Sequence, residues 1–144
     1  HLSTWHIVDL GFRQHNLEYQ VALEAGGWDD DWDEPDTFDR AAAEATGVDV
    51  EVIDVRTIAP LDVETLANSV NKTGRCIVAH EATRFGGYGG ELAARIQKEC
   101  FWNLEAPIAR IAGWDTPYPH AFEWQYFPGL KRIKAGIRQV MEAE

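Results

Sequence analysis

The sequence predicts a three-layer α/β/α fold with a mainly parallel central sheet of about five strands. Three observations lead to this expectation. Over residues 47–144, short apolar runs alternate with segments whose apolar residues recur at helical spacing. The length of 144 residues suits one domain with a sizeable core. Hydrophobic residues make up 45% and charged residues 26% of the chain, which is typical of globular proteins.

The predicted strands are short and rich in apolar or β-branched residues. Residues 50–55 form a short run rich in β-branched side chains, and residues 76–79 form a continuous apolar run. A run of the second kind is typical of a strand buried on both faces. Residues 107–112 predict a third strand, and residues 5–10 could supply a further one at the front of the chain.

The predicted helices carry recognisable ends. Asp62 is a favourable N-cap, with Leu61 and Leu66 placed to pack across it, and Gly74 is placed to end that helix. A second helix follows the turn at residues 86–90, and Pro128 suits the first turn of a last helix. On the last helix, basic residues form the predicted solvent face: Lys131, Arg132, Lys134 and Arg138.

Charge and hydropathy exclude several classes of partner. The formal net charge is −11, which opposes binding to nucleic acid or to an anionic membrane surface. No apolar run approaches the roughly 20 residues of a membrane span. The chain starts without Met or a signal-peptide pattern, so we expect a fragment or a processed product. Cys76 and Cys100 are expected to be reduced and buried.

Two metal-binding patterns fail on inspection. The acidic stretch at residues 28–39 would need Gly at position 34 and Glu at position 40 to form a calcium loop, and it has Glu34 and Arg40. A solvated acidic loop is therefore favoured. His80-Glu81 would need a second His at position 84 to form a zinc site, and Arg84 stands there. A hydrogen-bonded structural pair and a functional pair both remain open for His80 and Glu81.

The glycine turn contains Gly86, Gly87, Gly89 and Gly90 and links a predicted strand to a helix. Its amides could cradle an anion at the helix N-terminus, which would make the chain a stand-alone anion-binding module. It fits neither a dinucleotide fingerprint nor a P-loop, because Leu92 replaces the required small residue and no Lys-Ser or Lys-Thr follows. A tight turn that lets the helix approach the sheet is favoured.

The segment from Gly113 to Phe127 is predicted to be a polar loop stiffened by Pro117 and Pro119. Four aromatic residues within six positions exceed what a surface loop needs: Phe122, Trp124, Tyr126 and Phe127. They either cover the local core or bury against another chain.

Residues 47–144 resemble the C-terminal, transketolase C-terminal-like domain of the beta subunit of branched-chain 2-oxoacid dehydrogenase E1. Five stretches carry the resemblance, at residues 52–62, 72–75, 80–82, 103–108 and 113–120. The last, continued by Glu123, Tyr126 and Pro128, looks specific to the branched-chain group. Residues 1–46 are a divergent N-terminal segment of the same domain with an acidic insertion, and of them only residues 21–25 resemble the family's helix there.

The resemblance implies a thiamine-diphosphate- and magnesium-dependent enzyme that decarboxylates branched-chain 2-oxoacids and passes the acyl group to lipoyl-E2. It implies three partners, the E1 alpha subunit, a second beta subunit and the E2 acyltransferase, in a bacterial cytoplasm or a mitochondrial matrix. The C-terminal domain would serve assembly and E2 docking, with no cofactor bound and no catalytic residue. Pyruvate or acetoin dehydrogenase E1 is the alternative. The expected interface or channel residues are His80, Glu81, Tyr118, His120, Trp124, Tyr126 and Phe127.

Overall fold

A computed structural model describes residues 4–9, 46–55, 57–126 and 128–143, with the backbone alone for residues 4–9, 123 and 124. The predictions for the acidic stretch 28–39, for a helix at 21–25 and for Phe127 lie outside the described residues. In the part described, no helix is long and apolar enough to cross a membrane.

Four strands form one parallel sheet in the order β2-β1-β3-β4. They are β1 (Thr4–Asp9), β2 (Asp49–Asp54), β3 (Cys76–Thr83) and β4 (Ala109–Gly113). The parallel α/β fold is thereby confirmed, with four of about five expected strands found among the described residues. The strand predicted at 5–10 is β1, which lies between β2 and β3.

Among the described residues, four helices accompany the sheet: α1 (Val63–Thr73), α2 (Gly89–Cys100), α3 (Glu123–Tyr126) and α4 (Leu130–Met141). Short helix α3 interrupts the segment that the sequence predicted to be a loop from Gly113 to Phe127. The last helix begins at Leu130, two residues beyond Pro128.

The ends of α1 follow the sequence prediction. Oδ1 of Asp62 accepts a hydrogen bond from the backbone N–H of Thr65 at 3.0 Å, which holds the pKa of Asp62 below its usual range. Gly74 adopts the left-handed conformation with φ of 71°, and its N–H donates to the carbonyl of Val70 at 2.8 Å. Glycine takes this conformation without the Cβ strain that other residues meet, so it terminates the helix.

Two apolar layers cover the two faces of the sheet. On one face, Cys76 and Val78 of β3 pack with α1 and α2, through Leu66, Val70, Leu92, Ile96 and Cys100. On the other, Ile77 and Ala79 pack with β4 and α4, through Ile111, Ile133, Ile137 and Val140. Because successive strand residues point to opposite faces, the continuous apolar run at 76–79 serves both layers at once. Both cysteines are buried free thiols, as predicted.

Candidate functional site

The candidate site lies at the carboxyl ends of β3 and β4, the edge at which parallel α/β sheets usually place their functional groups. Strand β3 runs past the predicted end at Ala79 as far as Thr83, and it includes His80 and Glu81. The register between β3 and β4 shifts between Ala79 and Thr83. The sequence prediction ended this strand at Ala79 because the polar residues at 80 and 81 interrupt the apolar run.

His80 and Glu81 do not form one site. As neighbours on a strand, they point to opposite faces of the sheet. His80 is buried on the α2 side with 5% of its surface exposed, whereas Glu81 is half-buried. The pair therefore cannot act together on one substrate atom.

His80 packs against the glycine turn. It does not form the side-chain hydrogen bonds expected if His80 and Glu81 were a hydrogen-bonded structural pair. Neither imidazole nitrogen makes a hydrogen bond of normal geometry. A Cβ added at Gly89 would stand 2.2 Å from Nε2 of His80, and one at Gly87 would stand 2.8 Å from Cε1. Both positions must therefore lack a side chain for the ring to fit. Gly86 is required for a different reason, since its φ of +72° is a conformation that favours glycine.

These contacts favour the tight-turn interpretation of the turn over an anion cradle. At Gly90, an added Cβ would meet only Nη1 of Arg110, at 3.2 Å. The positive charge of Arg110 also acts on His80: burial is the largest cause that lowers the pKa of His80, and Arg110 lowers it further. The backbone of Ala82 acts in the opposite direction and is outweighed. Burial and Arg110 therefore both favour the neutral form of His80.

The turn that follows β3 is tied to the segment that follows β4. The N–H of Arg84 donates to the carbonyl of Gly113 at 3.3 Å, and the N–H of Phe85 donates to Oδ1 of Asp115 at 2.7 Å. These two hydrogen bonds join the two segments into one surface. Phe85 lies on it with 86% of its surface exposed.

The aromatic residues of the predicted loop divide into a packed group and an exposed group. Tyr126 is buried, with 5% exposed, and a Cβ at Gly113 would lie 2.7 Å from its ring. Tyr118 lies edge-on to Tyr126 at 5.2 Å and to His120 at 5.0 Å between ring centroids. The sequence-predicted residues Tyr118, His120 and Tyr126 are thus brought together, with Tyr126 in the core and with Tyr118 and His120 exposed above it. The backbone of Trp124 belongs to α3.

Trp114 and Phe122 join Phe85 in the exposed group, with 53% and 55% of their surfaces exposed. Arg132 of α4 contacts the segment between Ala112 and Tyr126. Its guanidinium lies 4.3 Å from the Trp114 ring centroid and donates to the carbonyls of Ala112 and Tyr126. The sequence analysis did not identify Phe85 and Trp114 as candidate interface residues. The signal that could have indicated them is a large apolar residue within a polar turn.

A separate cleft of about 250 Å³ lies at the carboxyl end of β2, lined mainly by Ile53, Val55, Pro60, Leu61 and Leu66. Two carboxylates, Asp54 and Asp62, also line it, and both oxygens of Asp62 accept hydrogen bonds from Thr65. Across the described ranges, no group of three His, Cys, Asp or Glu side chains could hold a metal ion. The cleft therefore receives no chemical assignment.

Known proteins share this fold and these segments. Residues 38–133 match the family described as transketolase, C-terminal domain, and the chain belongs to that family. A solved structure titled split gene transketolase, inactive beta4 tetramer, superimposes with a TM-score of 0.62 at 21% identity. The superposition covers 99% of this chain and 40% of that one, and it bears on the fold alone.

Three curated relatives are more specific. The Pseudomonas aeruginosa 2-oxoisovalerate dehydrogenase subunit beta is 59% identical over 103 residues, covering 72% of this chain and 29% of the relative. The mitochondrial Chaetomium thermophilum 2-oxoisovalerate dehydrogenase subunit beta is 58% identical over 93 residues, covering 63% and 20%. The Mycobacterium tuberculosis 3-methyl-2-oxobutanoate dehydrogenase subunit beta is 52% identical over 93 residues, covering 64% and 27%. The chain spans less than a third of the length of each of them.

Proposed function

We propose that this chain is the C-terminal domain of the beta subunit of a branched-chain 2-oxoacid dehydrogenase E1. The complete enzyme would decarboxylate branched-chain 2-oxoacids oxidatively and pass the acyl group to lipoyl-E2. The 59% identity over 103 residues to the Pseudomonas aeruginosa subunit carries this proposal. The names of the three relatives favour a branched-chain substrate over pyruvate or acetoin.

The proposed role of the domain within that enzyme is assembly rather than chemistry. Phe85, Trp114 and Phe122, together called the aromatic face, project from segments joined at the carboxyl edge of the sheet. Exposed aromatic side chains are typical anchors of protein interfaces, because they bury much area at low entropic cost. Tyr118 and His120 lie in the same segment as two of these residues.

The proposed partners at the aromatic face are the E1 alpha subunit, a second beta subunit and E2. Glu81 and His80 lie on β3 at the same edge of the sheet, and we propose that they pack at the border of this interface. A bacterial cytoplasm or a mitochondrial matrix is the proposed location, since the relatives include bacterial and mitochondrial subunits.

Thiamine diphosphate and magnesium are proposed to bind outside this domain in the assembled enzyme. Among the described residues, no group of three metal-binding side chains converges. Magnesium in proteins is held by carboxylates together with substrate phosphates and waters. We therefore assign no residue of this chain to the cofactor and derive no step through it.

Co-purification and activity test the function. A full-length beta subunit that contains this chain should associate with its cognate alpha subunit, and the complex should decarboxylate 3-methyl-2-oxobutanoate faster than pyruvate. Failure to associate with alpha would overturn the assignment. A preference for pyruvate would move the chain to the alternative group of dehydrogenases.

The aromatic face is tested by the double variant Phe85→Ser/Phe122→Ser in the same subunit. We expect weaker association with no change in melting temperature, because both side chains are exposed in this domain. The matched control is Phe101→Ser/Trp102→Ser, which removes two exposed aromatic residues beyond the C-terminus of α2, at the opposite edge of the sheet. Equal loss of association in both variants would reject the aromatic face as the specific interface.

A further inference from the structure

Helix α4 presents a row of cations on its solvent side. Lys131, Lys134 and Arg138 are spaced by three and four residues, which places them on one face of the helix. The opposite face is buried against the sheet through Ile133, Gly136, Ile137 and Val140. The three cations, called the basic face, therefore point away from the core of the domain.

No carboxylate neutralises the basic face within the described residues. In the described part of the chain, the cations that form ion pairs are Lys72, Arg75, Arg95 and Lys98. None of these pairs involves a residue of α4. The helix itself contains no Asp or Glu between Leu130 and Met141. This is unusual for a chain with a formal net charge of −11, in which acidic side chains are abundant.

Two features of this row are also locally unfavourable. Lys131 stands in the first turn of α4, where the helix dipole is positive and no acidic residue balances it. Like charges at spacings of three and four repel each other along the helix. Arg138 stands in the last turn, where the helix dipole favours a cation, although Arg75 already donates to the carbonyls of Val140 and Met141.

We propose that the basic face binds an acidic polypeptide segment of a partner protein. Residues that break local rules of stability without a compensating contact are expected at functional positions. A negatively charged segment would supply the missing counter-charges. The net charge of −11 favours a short acidic peptide over nucleic acid, because an extended phosphate backbone would also meet the acidic remainder of the chain. This inference does not depend on the proposed enzymatic function.

The test measures binding of a fluorescein-labelled oligoglutamate peptide to the 144-residue chain at low ionic strength. In Lys131→Gln/Lys134→Gln/Arg138→Gln, the dissociation constant should rise about tenfold or more, as expected for the loss of three exposed ion pairs. The control Lys72→Gln/Arg95→Gln/Lys98→Gln removes the same charge from α1 and α2 and should bind nearly as the native chain does. The melting temperature of the α4 variant should be unchanged or higher.

Several results would overturn the proposal. They are absence of peptide binding by the native chain, equal weakening in both triple variants, or a lower melting temperature of the α4 variant with binding intact. Tighter binding of duplex DNA than of the peptide, lost in the α4 variant, would assign the face to nucleic acid instead. If the triple variant does not fold, Lys131→Gln and Lys134→Gln alone must each weaken peptide binding, and normal binding by both would reject the proposal.

Discussion

The imidazole of His80 lies directly against Gly89, so that a Cβ at position 89 would stand 2.2 Å from Nε2 of His80 and 3.3 Å from Cγ1 of Val78. This contact sets how closely α2 approaches β3. It also explains why the first residue of α2 is a glycine although glycine is a poor helix former.

Gly89→Ala and Gly89→Val should therefore destabilise the fold. Overpacking at a closed contact costs about 1–3 kcal/mol, and the larger Val should cost more than Ala. Chemical denaturation measures the free energy of unfolding. The matched control is Gly90→Ala, whose Cβ would meet only the flexible end of Arg110 at 3.2 Å, so its free energy of unfolding should hardly change.

A double-mutant cycle identifies the partner in that contact. In a His80→Ala background, the cost of Gly89→Ala should shrink, because the atoms that clash with the new Cβ are removed. Costs that simply add would show that His80 is not the residue that limits position 89.

Stability should fall at mildly acidic pH because of His80. In the folded chain, burial and Arg110 lower the pKa of His80. The unfolded chain binds a proton there below pH about 6.5, so it holds more protons than the folded chain. Stability is therefore retained above pH about 6.5 and is lost below it, by at most about 1.4 kcal/mol per pH unit.

The free energy of unfolding of the native chain minus that of His80→Gln isolates the contribution of His80. The carboxylates titrate in both chains, so their contribution cancels. Between pH 8 and pH about 6.5 the difference in free energy of unfolding should be constant. Below that range the native chain should lose stability faster than the variant. Parallel curves down to pH about 5 would show that His80 is not held neutral by the fold.

Arg132→Lys should loosen the segment between Gly113 and Tyr126. Lysine lacks the planar guanidinium that donates to the carbonyls of Ala112 and Tyr126 and stacks on Trp114. We expect a loss of about 1–3 kcal/mol, the cost of leaving buried acceptors unpaired. Hydrogen exchange should accelerate in this segment and remain slow in β3.

The control for that substitution is Arg138→Lys on the same helix, at an exposed position. It should leave both hydrogen exchange and the free energy of unfolding unchanged. Identical behaviour of the two variants would remove the special role assigned to Arg132.

Both thiols should resist alkylation in the folded chain. Burial raises the pKa of the Cys76 thiol to about 12, and it also raises the pKa of the Cys100 thiol. The thiolate is the reactive form, so iodoacetamide at pH 8 should label neither cysteine. In denaturant both should be labelled, as measured by mass spectrometry. Rapid labelling of the native chain would contradict the burial of these residues.

The elements that were predictable from the sequence are those whose pattern is local. The N-cap at Asp62 and the glycine end at Gly74 each depend on a few neighbouring residues, and both are found where the sequence placed them. The apolar run at 76–79 indicated a strand in contact with two layers, and β3 is such a strand. The three-layer class follows from the alternation of these local patterns.

Features that depend on distant contacts were not predictable. Nothing near His80 in the sequence shows that its ring meets Gly87 and Gly89, or that β3 continues beyond the register shift. Phe85 is a single exposed aromatic residue in a turn, and its connection to Asp115 spans 30 residues. The roles of Tyr118 and Tyr126 separate only once Gly113 allows one of the two rings into the core.

The place of β1 at the middle of the sheet has a consequence for the order of events during synthesis. Both neighbours of β1, β2 and β3, follow it in the chain, and β2 has no other partner in the sheet of described strands. Within this domain, β1 therefore cannot form its pairing with β2 until residues 49–54 have been synthesised, and its pairing with β3 must wait for residues 76–83. Such long-range pairing slows folding and exposes strand edges in the interval. Nascent chains that stall before residue 76 should consequently be the species most in need of chaperones.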